Sequence, residues 1–375
     1  MKDVLGIIMT FDKATELKDL TDHRTVASIP FGSRYRLIDF MLSNMVNSNI
    51  NQVGVMMRDN YQSLIEHIGT GKEWDLSRKI GGIRLIPPYS YSKKSHLFDI
   101  TERKSKIEGL IGAYSFIKKN RAEYVVLSDA NIVTNIDLEK VVNYHVEQDA
   151  DITCVCVPKD EPNENDTYFE LDKNENLKNI YLSIDPNNKC KHTALGIYVL
   201  KKELLETLVQ NWANKNFKNF ELEGLNDALK NYNLKAYVHD TFSAQITDVK
   251  RYFDANMKLL SKDVRDELFI KNRAIYTKVY DEQPTYYSDK AYVCDSLIAD
   301  GCVLEGTVEN SIISRDVHIK KGAVVRNSIV LQSTIIREDA NILNVISDKS
   351  VKLGKGKTMM GQESFPIVIT KGSVI

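Results

Sequence analysis

The sequence predicts an α/β chain in two parts, a doubly wound domain of alternating strands and helices followed by a parallel β-helix. Three observations carry this expectation. Short apolar runs at residues 4–9, 53–57, 124–127, 152–157 and 195–200 alternate with helical patterns at 110–118, 138–146, 201–212, 225–232 and 249–260, the arrangement of a sheet covered by helices on both faces. Beyond residue 290, aliphatic residues recur every 17 positions. A chain of 375 residues also exceeds one ordinary core, so two domains are expected. They are placed at 1–260 and 290–375, with a linker at 261–289 that holds Gln283-Pro284-Thr285.

Taken in order, residues 4–9 (VLGIIM) are apolar throughout, as in a strand buried on both faces of a parallel sheet. The run is too short for a signal core or a membrane span. Pro30-Phe31-Gly32-Ser33 reads as a turn that delivers Arg34 and Arg36 to the mouth of a helix. There Leu37, Ile38, Phe40, Met41 and Met45 recur at three and four residues. Asn47-Ser48-Asn49 breaks this helix before Val53, Val55 and Met57. Two arginines at a helix start suit an anionic ligand, because free N–H groups and guanidinium forks both favour phosphate. The plainer alternative is an Arg36–Asp39 pair that holds the loop. The ligand of such a domain is expected at the carboxyl ends of the strands, where the strand order reverses.

In the second part, Val308, Val325 and Ile342 are 17 apart, as are Ile312, Ile329 and Ile346, then Val317, Thr334 and Val351, then Ile319, Ile336 and Leu353. Asn310-Ser311-Ile312 recurs as Asn327-Ser328-Ile329, with Asn344-Val345-Ile346 in phase. Four registers sharing one period fit about four coils whose inward residues stack from turn to turn, with open ends that another surface must cover.

Composition narrows the function classes. Hydrophobic content of 43% and charged content of 27% belong to a soluble globular protein. A formal net charge of −1 offers no basic field for nucleic acid. Cys154, Cys156, Cys190, Cys294 and Cys302 are an odd set without a C-x-x-C pair. They indicate neither a disulfide framework nor a zinc site, but reduced thiols in the cytoplasm.

The strings PFGSRYRLIDFMLSNMVNS and YQSLIEHIGTGKEWDL resemble ADP-glucose pyrophosphorylase (glucose-1-phosphate adenylyltransferase). The resemblance covers nearly the whole chain. It implies a nucleotidyltransferase-like α/β domain joined to a left-handed parallel β-helix that takes part in subunit contacts. Such chemistry needs a glycine-rich loop against the triphosphate, carboxylates that hold Mg²⁺, and cations that offset charge during in-line attack.

Against the family pattern, this chain departs at each of those places. No glycine stands between Gly6 and Gly32, and Phe11 and Asp12 occupy the loop. Val26-Ala27 replaces a lysine-proline pair. Ala130, within AEYVVLSDANIV, falls on the first metal aspartate, and Gln245 falls on the second. Asp129 stands one residue early on an extended segment, where neighbours point to opposite faces, and Asp248 stands three residues late. Ser183 takes the place of the sugar-phosphate lysine, while Gly196 and Tyr198 keep the vestigial sugar side. The nucleotide-contacting segment is missing around residues 105–109. Asn44, Asn47 and Gly69 still match.

A frame retained while loop glycines, carboxylates and lysine are all absent implies lost catalysis. The expected protein is the regulatory, catalytically deficient subunit of glucose-1-phosphate adenylyltransferase in glycogen biosynthesis, with no cofactor of its own and the family's Mg²⁺ lost. Its expected partners are a separate catalytic subunit and further copies of itself, as a dimer or tetramer, and neither nucleic acid nor membrane. The resemblance also implies an anionic sugar-phosphate effector, for which His23, Arg24 and Lys371 are the candidates. Two alternatives stay open, an active enzyme whose metal site is rebuilt from Asp129 and Asp248, and a sugar-phosphate-binding sensor. An acyltransferase would need a β-helix histidine, and only His318 is available.

Overall fold

The computed structural model describes residues 3–10, 17–87, 105–158, 166–182 and 190–375. Phe11, Asp12 and Ser183, singled out above, lie outside the described residues. Two compact units result, and neither is continuous in sequence. The first comprises Met1–Asp12, Phe40–Gln245 and Lys271–Tyr276; the second comprises Lys13–Asp39, Ile246–Ile270 and Thr277–Ile375. The expected break at residue 260 therefore falls inside the second unit, and the expected linker contains a helix, Lys262–Leu268. Side chains distant in sequence tie the second unit's early pieces together. The Tyr252 hydroxyl donates to Pro30 O at 2.7 Å, the Gly32 N–H donates to Asn256 Oδ1 at 2.9 Å, and Phe31 meets the Tyr252 ring edge-on.

The first unit is built on a nine-stranded mixed sheet. Val4–Met9, Gln52–Met56, Gly82–Ile86 and Tyr124–Asp129 run parallel. His192–Lys201 joins antiparallel beside Tyr124–Asp129, and Ile152–Pro158 bridges it to Leu234–Val238. Val4–Met9 lies between Gln52–Met56 on one side and Tyr124–Asp129 on the other. The order thus reverses at Val4–Met9, and Met9 lies opposite Asp129 at the carboxyl ends. Leu5, Ile7, Val125 and Leu127 are wholly buried, as strands covered on both faces must be.

Helix starts and lengths differ from the periodic reading where side chains decide them. The helix expected at 110–118 spans Lys106–Lys119, because Ser105 and Glu108 form a reciprocal capping box one turn earlier. At 225–232 the chain instead makes a wide π-helical turn, Phe220–Leu225, capped by Asn219 and followed by a single α-turn, Asn226–Ala228. Gly224 sets its backbone against the Trp212 indole there, where a Cβ would come within 3.2 Å of the ring. Asn44 and Ser48 on the Leu37–Asn47 helix and its end are structural. Asn44 donates to Thr134 O at 2.9 Å and accepts from Ile136 N, and Ser48 Oγ accepts from Leu138 N at 3.0 Å.

In the second unit, three parallel five-stranded sheets form a left-handed β-helix of five coils, one more than the repeat arithmetic counted. The strict registers Val308↔Val325↔Ile342 and Ile312↔Ile329↔Ile346 pair as the 17-residue period requires. The first coil escaped notice because its pairing Leu297↔Ile312 is two residues short of that period. Asn310, Asn327 and Asn344 turn left-handed corners with φ of 44°, 42° and 53° and bond in a ladder, Asn310 to Asn327 at 2.9 Å, Asn327 to Asn344, and Asn344 to Gly361 O. Asparagine suits this place because its short amide tolerates the left-handed backbone and satisfies its own neighbours. Pro30–Phe31 proves to be a strand paired with Tyr35–Arg36 in a tight hairpin, so the turn is Gly32-Ser33-Arg34 rather than residues 30–33.

Candidate functional site

At the carboxyl end of Tyr124–Asp129, where strand order reverses, six residues from five elements of the first unit converge. Asp129 ends the strand and is 1% exposed. The Lys106 ammonium, delivered by the first turn of its capped helix, sits 2.7 Å from Asp129 Oδ2 and 2.5 Å from Glu221 Oε1 on the π-helical turn. The Tyr198 hydroxyl donates to the same Glu221 oxygen at 3.3 Å, and Gln245 Nε2 reaches Asp129 Oδ2 at 3.4 Å. Gly196, at φ +78°, is the cradle: a Cβ there would lie 2.3 Å from Asp129 Oδ2. Only a residue without a side chain admits the carboxylate in that conformation.

Electrostatics explain why the cluster is stable as an ion triad. Burial pulls the Lys106 pKa down, but Asp129 and Glu221 outweigh it, so its pKa stands well above the ordinary lysine value and it remains charged. Burial pushes Asp129 up, to about 6, against the pull of Lys106 and with a further push from Glu221. The Asp129 carboxylate thus depends on the ammonium to stay ionised. Burial, followed by the two carboxylates, lifts the Tyr198 phenol well above its usual range.

The residues at this place do not fit Mg²⁺. A magnesium site needs near-octahedral oxygen donors at about 2.0–2.1 Å. Ala130 offers a buried methyl, and Gln245 turns its amide nitrogen rather than its oxygen toward Asp129. The strand-end carboxylate Asp129 is engaged by a lysine. Asp248 is spent otherwise: it caps the Val249–Lys258 helix, accepting from Arg251 N at 2.7 Å. Among the described residues no group of three or more His, Cys, Asp or Glu could hold a metal.

The basic candidates gather in the second unit, with one addition. Arg24 is buried and pairs with buried Asp348 at 2.5 Å, while its Nη1 has no hydrogen-bond partner among the described residues. Lys349 follows Asp348, and its pKa is depressed to about 7 by burial first, then by the charges of Arg36 and Arg24, with a smaller push from Lys371 and a counter-pull from Asp348. Arg24, Arg36, Lys349 and Lys371 therefore form one crowded cationic cluster. Arg34 serves a different partner, Asp300, at 2.9 Å, with both side chains nearly half exposed. Asp39 accepts the Arg36 backbone N–H at 2.9 Å. His23 is exposed on the turn before Arg24.

Of the residues singled out in sequence, Gly196, Tyr198 and Gln245 meet at one site, Ala130 adjoins it, and Arg24, Arg36 and Lys371 meet at the other. Lys106, Glu221 and Lys349 were missed. The capping signal Ser105-x-x-Glu108 could have set Lys106 at a helix start, but no local pattern connects it to Glu221, 115 positions away. His318 lies partly exposed beside Asp316, at 3.5 Å.

Comparison with known proteins agrees with this anatomy. The model described as "Nucleotidyl transferase" matches residues 5–262, and that described as "GlmU-like, C-terminal hexapeptide" matches residues 281–364. Fold and strand-end site thus define a nucleotidyltransferase-type chain with a hexapeptide β-helix. The "Glycogen biosynthesis protein GlgD" of Bacillus subtilis (strain 168) is 33% identical over 99% of this chain and 96% of its own. The protein of the same description from Geobacillus stearothermophilus is 33% identical over 86% and 82%. The "Glucose-1-phosphate adenylyltransferase" of that organism is 31% identical over 87% and 84%. The chain belongs to the ADP-glucose pyrophosphorylase family.

Proposed function

We propose that this chain is the regulatory, catalytically deficient subunit of a glucose-1-phosphate adenylyltransferase in glycogen biosynthesis, acting on a separate catalytic subunit in the cytoplasm. The observation that carries the reading is the Lys106–Asp129–Glu221 triad, an ammonium at the strand ends, beside Ala130 and Gln245 where the resemblance implies the family's metal ligands. Without that cation the transferring phosphoryl charge goes unmatched, several kcal/mol are lost, and at about 1.4 kcal/mol per decade the rate falls by at least ~10³. Similarity to two glycogen biosynthesis proteins over most of the chain supports the pathway. The retained frame supports a partner role, since a partner shifts a catalytic subunit only by binding its active form more tightly.

The cationic cluster of Arg24, Arg36, Lys349 and Lys371 supports binding of an anionic effector, of sugar-phosphate type. The buried guanidinium edge of Arg24 and the charge crowding at Lys349 both favour an added anion. Tyr286, Tyr287 and Tyr292 lie exposed on the first β-helix coil, which supports self-association through that end.

The deciding experiment measures ADP-glucose synthesis by the purified chain, by a glucose-1-phosphate adenylyltransferase catalytic subunit, and by the two mixed. The expected result is silence alone, co-purification with the catalytic subunit, and higher turnover or tighter apparent substrate binding in the mixture. An ordinary rate from the chain alone returns the reading to an active enzyme. Silence without any association or kinetic effect leaves the sensor.

A further inference from the structure

The cationic cluster of the second unit contains an anion of the chain's own. Asp348 follows the strand Val345–Ser347, and the β-helix fixes it firmly. Its N–H donates to Ile369 O at 2.9 Å, its carbonyl accepts the Thr334 hydroxyl at 3.0 Å, and its Oδ1 accepts the Lys349 N–H at 2.7 Å. Oδ2 is left for Arg24 Nη2, 2.5 Å away and 324 positions earlier, in a pair whose side chains are 1% and 5% exposed. The wholly buried Tyr252 lies within reach of both: burial first and Asp348 next lift its phenol pKa, and Arg24 draws it down. Of the charges that bear on Lys349, those of Arg36, Arg24 and Lys371 are positive and that of Asp348 alone is negative. The cations are graded in exposure, from buried Arg24 through half-buried Arg36 and Lys349 to exposed Lys371.

We infer that Asp348 is a built-in competitor for anionic ligands at this cluster, neutralising Arg24 and so holding down the affinity with which the cluster takes a phosphate-type dianion. The inference rests on the anionic-effector reading above and names the residue that sets its threshold. A ligand reaching the cluster finds Arg24 already in contact with a carboxylate that the β-helix does not let move. Separating a buried pair is costly, because it strands a charge away from water. The ligand therefore either uses only the unbonded Nη1 edge of Arg24 or does without that residue, and in both cases it binds in the repulsive field of Asp348. A repulsive group kept inside a binding site is a familiar way to set what the site accepts. The cluster then stays empty at low ligand levels and fills only as the ligand accumulates.

The test is a calorimetric titration with sulfate at constant ionic strength and pH 6, below the Lys349 pKa of about 7, for the full-length wild type, Asp348→Asn, and Asp348→Asn with Arg24→Gln. Asparagine keeps the shape and the acceptor oxygen for the Lys349 N–H while removing the charge. Asp348→Asn should bind sulfate on the order of tenfold more tightly than wild type. The double variant should fall back to about the wild-type affinity, because the gain comes from the freed charge of Arg24. A purely structural role for Asp348 predicts the opposite sign, weaker binding as the cluster loosens. Sulfate binding by wild type that is no tighter in a folded Asp348→Asn overturns the competitor while leaving the effector reading in place, and so does a double variant that keeps the whole gain. No saturable binding by either wild type or Asp348→Asn overturns both. If the urea transition shows that Asp348→Asn does not fold, Asp348→Ser, which keeps an acceptor for the same N–H, decides the matter by the same titration: a gain supports the competitor and no gain refutes it.

Discussion

Lys349 makes the basic cluster accessible to a quantitative test. Burial, with Arg36, Arg24 and Lys371 around it, holds its pKa at about 7, so near neutrality the lysine is half charged in the free protein. A bound dianion adds the opposite charge and draws the pKa back up. Binding then takes up a proton, and affinity is greatest below about pH 7 and falls as pH rises through it. At about pH 9, two units higher, only ~1% of the free protein carries that proton, so affinity drops by up to about a hundredfold, or about 2.7 kcal/mol. Sulfate is the appropriate probe because its own charge does not change over this range. Calorimetry in buffers of different ionisation enthalpy reads both affinity and proton uptake, and Lys349→Met should remove the uptake and flatten the profile. Equal affinity at the two pH values with no proton uptake refutes the reasoning, and so does a fall that persists unchanged in Lys349→Met. Without ligand the sign reverses. The folded pKa lies below the unfolded lysine value of 10.5, so between about pH 7 and 10.5 the unfolded chain binds more protons and stability rises with pH. High pH and a bound anion relieve the same crowding.

Three further outcomes follow from packing. Arg24→Ala leaves the Asp348 carboxylate buried without its partner and should cost about 3–5 kcal/mol in urea denaturation, largely recovered by adding Asp348→Ala; a loss below ~1 kcal/mol contradicts the buried pair. Gly196→Ala drives a Cβ against Asp129 at a backbone φ of +78° and should cost roughly 2 kcal/mol or more, so an unchanged melting temperature would sink the cradle assignment. Ser328 Oγ donates to Arg326 O at 2.6 Å and accepts from Val345 N at 3.1 Å. Ser328→Ala should therefore destabilise by about 1–3 kcal/mol, read as a lower urea midpoint at unchanged slope.

Among the described residues no helix is long and apolar enough to cross a membrane. Cys154, Cys156 and Cys302 are buried thiols.

Sequence by itself determined whatever depends on neighbours along the chain. Apolar runs at 4–9 and 124–127 marked two strands, because a strand covered on both faces is apolar along its buried length. The 17-residue recurrence marked the β-helix, because equivalent residues stack on one another and the period is the coil length itself. The resemblance implied that Ala130 and Gln245 stand where the family holds its metal ligands. Tertiary structure alone decided what gathers beside them, since Lys106 and Glu221 meet across 115 positions through the packing of a helix and a π-helical turn onto one sheet. It also decided that residues 17–39 and 246–270 belong with the repeat rather than the sheet, through contacts such as Arg24 to Asp348 and, between the two early pieces, Tyr252 to Pro30. The same holds for the depressed pKa of Lys349, set by burial first and then by Arg36 and Arg24 from more than 300 positions away. Charge acts through space over several ångströms, and contour distance along the chain carries no record of which charges folding brings together.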